Sequence, residues 1–278
     1  MPIGPYLDNG TSSEQQRHAL RSIPMITLDC DYVMEGYIAA NQYDRDPYWT
    51  CIWPSSQAIA AAILPSTSGK PDRTISIDVQ GQHVADFGAG LGLAGVAAGM
   101  AGAKEVAFLD REPLSLACCV ANAEMNGCAD CILPVEFDWN APVGALAHRF
   151  DCILVCDCLY EKFSVEPIAR VLPQLVRQTA EAKIVLADPP NRAKAHRDRF
   201  LGLMKVYGFE MTDEARVDVN EMSEGDAKRK QTEIVLIVLQ RREVYFHLWS
   251  HIVHPRDIPS LSLSRVLVSA RVSLCIPT

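Results

Sequence analysis

The chain has 278 residues, the size of one large domain or two small ones. With 49% hydrophobic and 22% charged residues it has ample material for a core, which excludes a mainly disordered, collagen-like or coiled-coil chain. A net charge of −8 argues against a general nucleic-acid binder, because phosphate recognition needs clustered Lys and Arg, and is compatible with a cationic partner.

Residues 1–24 are polar, lack the apolar stretch of a secretory signal, and read as a flexible lead to a domain over 25–242. Residues 25–40 alternate in part and suggest a small hairpin. Within 46–64, Pro54 reads as a break, Ser55 and Ser56 as a cap, and the Ala-rich run after them as a helix. A Gly/Pro/Ser loop covers 65–73. From residue 83 strands at 83–87, 105–110, 132–138, 151–157 and 182–188 alternate with helices at 91–102, 113–127, 163–180 and 192–208. Pro134 marks the third strand as an edge. Strands at 209–217 and 232–240 follow with only a charged stretch between them. The alternation predicts an α/β fold with a doubly wound, mostly parallel sheet, and the last pair an antiparallel hairpin on it. Residues 243–278 fit no part of this pattern and are expected to be an appendage.

Ten cysteines diluted in a chain of this length fit a reducing, cytoplasmic setting. Cys128 and Cys131 form one CxxC and Cys156 and Cys158 one CxC, with no second pair at zinc-ribbon spacing, and the seven histidines show no HxxxH, so no metal site is expected. No apolar run approaches the ~18 residues that span a bilayer, so no membrane association is expected.

The segment VADFGAGLGLAG, residues 84–95, supports two readings. Gly90, Gly92 and Gly95 match the GxGxxG dinucleotide fingerprint, and Asp110 stands 20 residues after Gly90, where a ribose-binding acid belongs. On the other reading, Asp86 stands at the carboxyl end of the first strand just before Gly88, Ala89, Gly90 and Gly92. An anion there opposes a diphosphate and favours the cationic amino group and sulfonium of S-adenosylmethionine (SAM). The glycines let backbone and cofactor approach closely. Asp110 serves either ligand.

At this point the chain resembles the class I SAM-dependent methyltransferases, over about residues 46–240, and more narrowly methyltransferase family 16, the seven-β-strand protein lysine methyltransferases. Four segments carry the resemblance: Tyr48-Trp49-Thr50-Cys51-Ile52-Trp53-Pro54 ahead of a helix, the glycine loop, Phe137-Asp138-Trp139 after strand three, and Asp157-Cys158-Leu159-Tyr160 after strand four, matching the family's DxxY. The resemblance implies a Rossmann-like sheet of seven strands, mostly parallel with an antiparallel terminal strand, and SAM as cofactor. It also implies a lysine-bearing protein as substrate and a SAM contact for Trp53. Asp138 and Trp139 fall beside the expected adenine site, as acceptor and stacking partner, and Cys156 adds backbone to the cofactor wall. Asp157 and Tyr160 are the catalytic candidates, because open α/β sheets place ligands at the carboxyl ends of their strands.

Asp188-Pro-Pro-Asn191 reads as a turn lining the substrate side of the cleft. Arg192, Lys194, His196, Arg197 and Arg199 read as the solvated basic face of a helix. The same fold also serves small-molecule amines or other protein side chains, or binds SAM without turnover, and a nicotinamide-dependent oxidoreductase remains as the other reading of the loop.

Overall fold

The buried apolar runs that open the alternating region form five parallel strands, and the structure, a computed structural model, describes residues 23–64, 75–192, 194–220 and 231–242. β1 (His83–Phe87), β2 (Glu105–Asp110), β3 (Ile132–Glu136), β4 (Cys152–Cys156) and β5 (Lys183–Asp188) join β6 (Phe209–Asn220) and β7 (Gln231–Arg241) in one seven-stranded sheet. Its order is β3-β2-β1-β4-β5-β7-β6, and β7 runs antiparallel to both its neighbours. The last strand among the described residues, β7, is therefore inside the sheet. Pro134 lies on the edge strand β3, opposite Phe108, where its missing N–H costs the ladder nothing on the open side.

Side-chain parity divides the core in two. Ala85 and Phe87 of β1, Ile153 and Val155 of β4, and Ile184 and Leu186 of β5 face one side. There they pack against α5 (Val165–Leu175) and against Phe200 and Met204 of α6 (Lys194–Val206). Val84, Cys152, Leu154, Val185 and Ala187 face the other side, under α2 (Pro54–Ile63), α3 (Leu93–Met100) and α4 (Pro113–Met125). Helices on both faces explain why these strands read as near-continuous apolar runs.

Two local expectations need correction. Residues 25–40 hold no hairpin but α1 (Cys30–Ala39), capped by Asp29, whose carboxylate accepts from the Tyr32 N–H. Cys30, Val33 and Tyr37 fall on one helical face, but only Val33 is fully buried, so the apolar period is weak. Pro54 is not a break but the first residue of α2, where its fixed φ suits the first turn and its missing N–H has no partner to lose. Ser55 and Ser56 lie within that turn. The lead over 1–22, the loop over 65–74 and the appendage over 243–278 lie outside the described residues.

Candidate active site

The strand order reverses between β1 and β4, so the loops after these strands diverge and leave a crevice at the carboxyl end of the sheet. A cavity of about 450 Å³ opens there. Its wall takes in the loop after β1, the ends of β2 and β4, the segment after β3, residues between Tyr43 and Trp53 ahead of α2, and Ser56 in the first turn of α2. Of the residues picked from the sequence, Trp53, Gly88, Ala89, Gly90, Gly92, Asp110, Asp138, Trp139, Cys156, Asp157 and Tyr160 all line it.

Asp86 does not. Its parity on β1 turns the carboxylate to the α3 side, where Oδ2 accepts from the Gly95 N–H at 2.8 Å. Asp86 is 2% exposed, and burial above all pushes its pKa up to about 7. The expectation that it meets a cationic ligand at the cavity wall is corrected: it caps α3 from beneath. Asp110 does a related job within the wall, its two carboxylate oxygens accepting from the Gly90 N–H at 2.9 Å and the Glu112 N–H at 3.0 Å. Burial raises its pKa too. In the first turn of α3 the Gly95 N–H is thus already held by a carboxylate, which leaves a diphosphate one fewer donor at that helix N-terminus.

The loop itself is a backbone cradle. Gly88, Gly90 and Gly92 have φ of 69, 55 and 78°. At Gly88 a Cβ would stand 2.8 Å from Cys158 Sγ and 3.5 Å from the Trp139 ring, so any side chain would fill the approach between these residues. Trp139 stacks on Phe87 at 5.7 Å with 13° between the planes, and Phe137 meets Phe87 edge-on. Asp138 is exposed and accepts from the Asn140 N–H at 2.7 Å in a tight turn. The thiols of Cys156 and Cys158 are pushed up, by burial first and by Asp86 second, and stay protonated.

Asp157 is buried beside the cavity with φ of 56°, a left-handed conformation that residues other than glycine adopt at a cost. Its Oδ2 lies 3.5 Å from Ser55 Oγ, and its Oδ1 is ion-paired with Arg192. It does not cap α5, whose N-cap is Ser164. Tyr160 stands half-exposed at the mouth, and partial burial, then the charge of Asp46, pushes its phenol up to about 12.

Several residues in and behind the wall were given no role by the sequence reading. The Trp49 Nε1–H donates to Tyr37 Oη at 2.8 Å, the Tyr37 hydroxyl donates to Glu112 Oε2 at 2.8 Å, and Arg45 donates to the same oxygen at 2.6 Å. This chain of bonds ties α1 and the segment after it to the end of β2. A second acid two residues after Asp110, just before Pro113, was the available signal. The basic face of α6 is also corrected. Lys194 pairs with Asp198 on the surface, but Arg197 is buried and donates to Asp188 Oδ2 at 2.8 Å and to the carbonyls of Pro189 and Pro190 at 3.0 and 2.7 Å. Asp188 is fully buried in this pair and does not line the cavity.

A glycine cradle, carboxylates at the ends of β1 and β2 and this strand order define the fold of the class I SAM-dependent methyltransferases. Residues 36–206 match the sequence model of methyltransferase family 16, described as lysine methyltransferase, and the chain belongs to that family. It is 25% identical over 173 residues to an electron transfer flavoprotein beta subunit lysine methyltransferase of Danio rerio, covering 62% of this chain and 61% of the relative. A rat protein of the same name is 30% identical over 117 residues, 42% of this chain and 41% of the relative. A calmodulin-lysine N-methyltransferase of Arabidopsis thaliana is 28% identical over 162 residues, 56% and 50%. The chain thus spans about three fifths of the length of the first of these relatives and half or less of the other two. Family and fold imply SAM as cofactor, and the cradle fits it: the volume lies in the range of small-ligand sites, and the wall is rich in anions.

Proposed function

We propose that this chain transfers a methyl group from SAM to the side-chain amine of a lysine in a protein. The observation that carries this reading is the charge of the cavity wall. Among the described residues, seven carboxylates line it (Asp44, Asp46, Asp110, Glu112, Asp138, Asp157 and Glu161) against two guanidiniums, Arg45 and Arg111. Such a wall favours a cationic cofactor and a substrate that arrives as an ammonium. The names of the relatives, which specify lysines of electron transfer flavoprotein and calmodulin, support a protein as the acceptor.

SAM, when bound, supplies an activated methyl group on a good leaving group. What this chain must add is alignment and a neutral nucleophile. The loop over Gly88–Gly92 and Trp139 bound the cofactor side of the cavity, and Asp110 has lone pairs left for ribose hydroxyls beyond its two backbone bonds. Asp157 and Tyr160 receive the amine. A lysine with an unperturbed pKa of ~10.4 arrives protonated. The carboxylate holds it, its proton leaves to water, and the phenol oxygen keeps the lone pair directed at the cofactor. The strained backbone of Asp157 fits such a role, since residues held at a cost in this conformation cluster at functional sites.

A reducing, intracellular setting belongs to the same proposal, supported by nine described cysteines that are all free. Incubating the protein with methyl-labelled SAM and cell lysate tests the function. The expected result is label in a protein band, on a lysine by mass spectrometry. Label confined to small molecules overturns the protein substrate, and no SAM binding by calorimetry overturns the whole reading.

A further inference from the structure

Arg192 reaches the candidate amine site from outside the cavity wall. Its Nη2 donates to Asp157 Oδ1, and its guanidinium carbon lies 5.1 Å from the centroid of the Trp53 ring. Carboxylate and aromatic face are the two partners that an alkylammonium also seeks. Trp53 is itself fixed, its indole N–H donating to the Tyr48 carbonyl at 3.0 Å and its ring meeting Tyr48 edge-on. The turn that carries Arg192 is fixed as well, because Arg197 grips the carbonyls of Pro189 and Pro190. The guanidinium therefore comes from a braced turn and rests between two braced partners. Its side chain is still 43% exposed, so it can withdraw into solvent without unfolding anything.

We propose that Arg192 is a built-in occupant of the amine subsite, holding the place between Asp157 and Trp53 until a substrate's lysine displaces it. The proposal rests on the methyltransferase reading above and deepens it. A guanidinium stays protonated and has no lone pair to offer the cofactor, so it holds the place without becoming an acceptor. Its presence raises the threshold for any incoming amine. A small amine has only the ammonium and a short alkyl stem with which to compete. A lysine on a protein brings further contacts to the exposed Tyr43, Tyr48 and Phe163 at the rim, and these supply the displacing free energy. Arg192 thus sets specificity for protein-borne lysine over free amines.

The test is calorimetric titration of n-butylamine at pH 8 into the full chain loaded with S-adenosylhomocysteine. Arg192→Ala and Arg192→Gln are expected to bind the amine about tenfold more tightly than wild type, the combined worth of one partly exposed ion pair and one cation–π contact. Arg192→Lys keeps a cation in place and is expected to bind as weakly as wild type. Adding Asp157→Asn to Arg192→Ala is expected to abolish the gain. Amine affinity in Arg192→Ala that is equal to wild type, weaker, or absent in both, with S-adenosylhomocysteine bound normally, overturns the proposal alone. A wild-type protein that does not bind S-adenosylhomocysteine overturns the methyltransferase reading and this proposal with it.

Discussion

Replacing Asp86 by Asn keeps an oxygen to accept from Gly95 and removes the charge. In the wild type the carboxyl ionises near the ordinary carboxylate value of 3.8 when unfolded and at about 7 when folded. Between these values the unfolded chain has lost a proton that the folded chain keeps, so stability is full below pH 3.8 and falls as pH rises toward 7. Each pH unit well inside the window costs about 1.36 kcal/mol, and the whole shift sets a ceiling of roughly 4 kcal/mol. Between pH 5 and pH 8 the loss comes to roughly 2–3 kcal/mol, because part of the window lies below pH 5. Asp86→Asn lacks this titration. Urea unfolding of both cofactor-free proteins at pH 5 and pH 8 measures the difference, in which titrating groups that do not feel the Asp86 charge cancel. Relative to wild type, the variant is expected to gain those 2–3 kcal/mol between the two pH values. Profiles that stay parallel within about 1 kcal/mol would refute the buried, proton-holding carboxylate.

Three further perturbations separate the structural from the chemical parts of the site. A Cβ at Gly95 would meet Phe108 Cε1 at 2.3 Å and Asp86 Oδ2 at 3.0 Å, so Gly95→Ala is expected to cost roughly 1–3 kcal/mol in urea unfolding, and wild-type stability would contradict the packing. Arg197→Met strands Asp188 in the core and is expected to cost roughly 3–5 kcal/mol, partly regained by adding Asp188→Asn; no recovery in the double variant would place the loss elsewhere. Asp157→Ala is expected to leave SAM affinity within about twofold by calorimetry while methyl transfer falls by about a hundredfold or more, and an unimpaired rate would remove Asp157 from the chemistry.

The strands of the parallel region were legible because burial on both faces writes each as a short apolar run, bounded at β2 by an acid and at β3 by a turn. α1 was not, since a helix that buries only Val33 leaves almost no 3.6-residue period. The position of Asp86 at the end of β1 was plain, but its direction was not. Parity relative to Val84 and Phe87 decides which layer an end-of-strand acid enters, and the layers become defined only when the helices pack. The cavity residues after β1, β2 and β4 were legible because topology alone brings those loops together. Arg192 and Arg197 were not, because nothing local distinguishes a guanidinium that finds a buried carboxylate from its surface neighbours Lys194 and Arg199. The partners come from other elements, at separations of 35 residues for Arg192 and 9 for Arg197.

The placing of β7 between β5 and β6 has a consequence for how the protein is made. While the ribosome is still adding residues, β5, apolar over Ile184–Ala187, exposes an unpaired rim, since β7, which pairs with it, follows β6 in the chain. The nascent chain can complete the glycine cradle and its neighbours early, but must keep that rim from annealing to other chains until residue 241 is free of the exit tunnel.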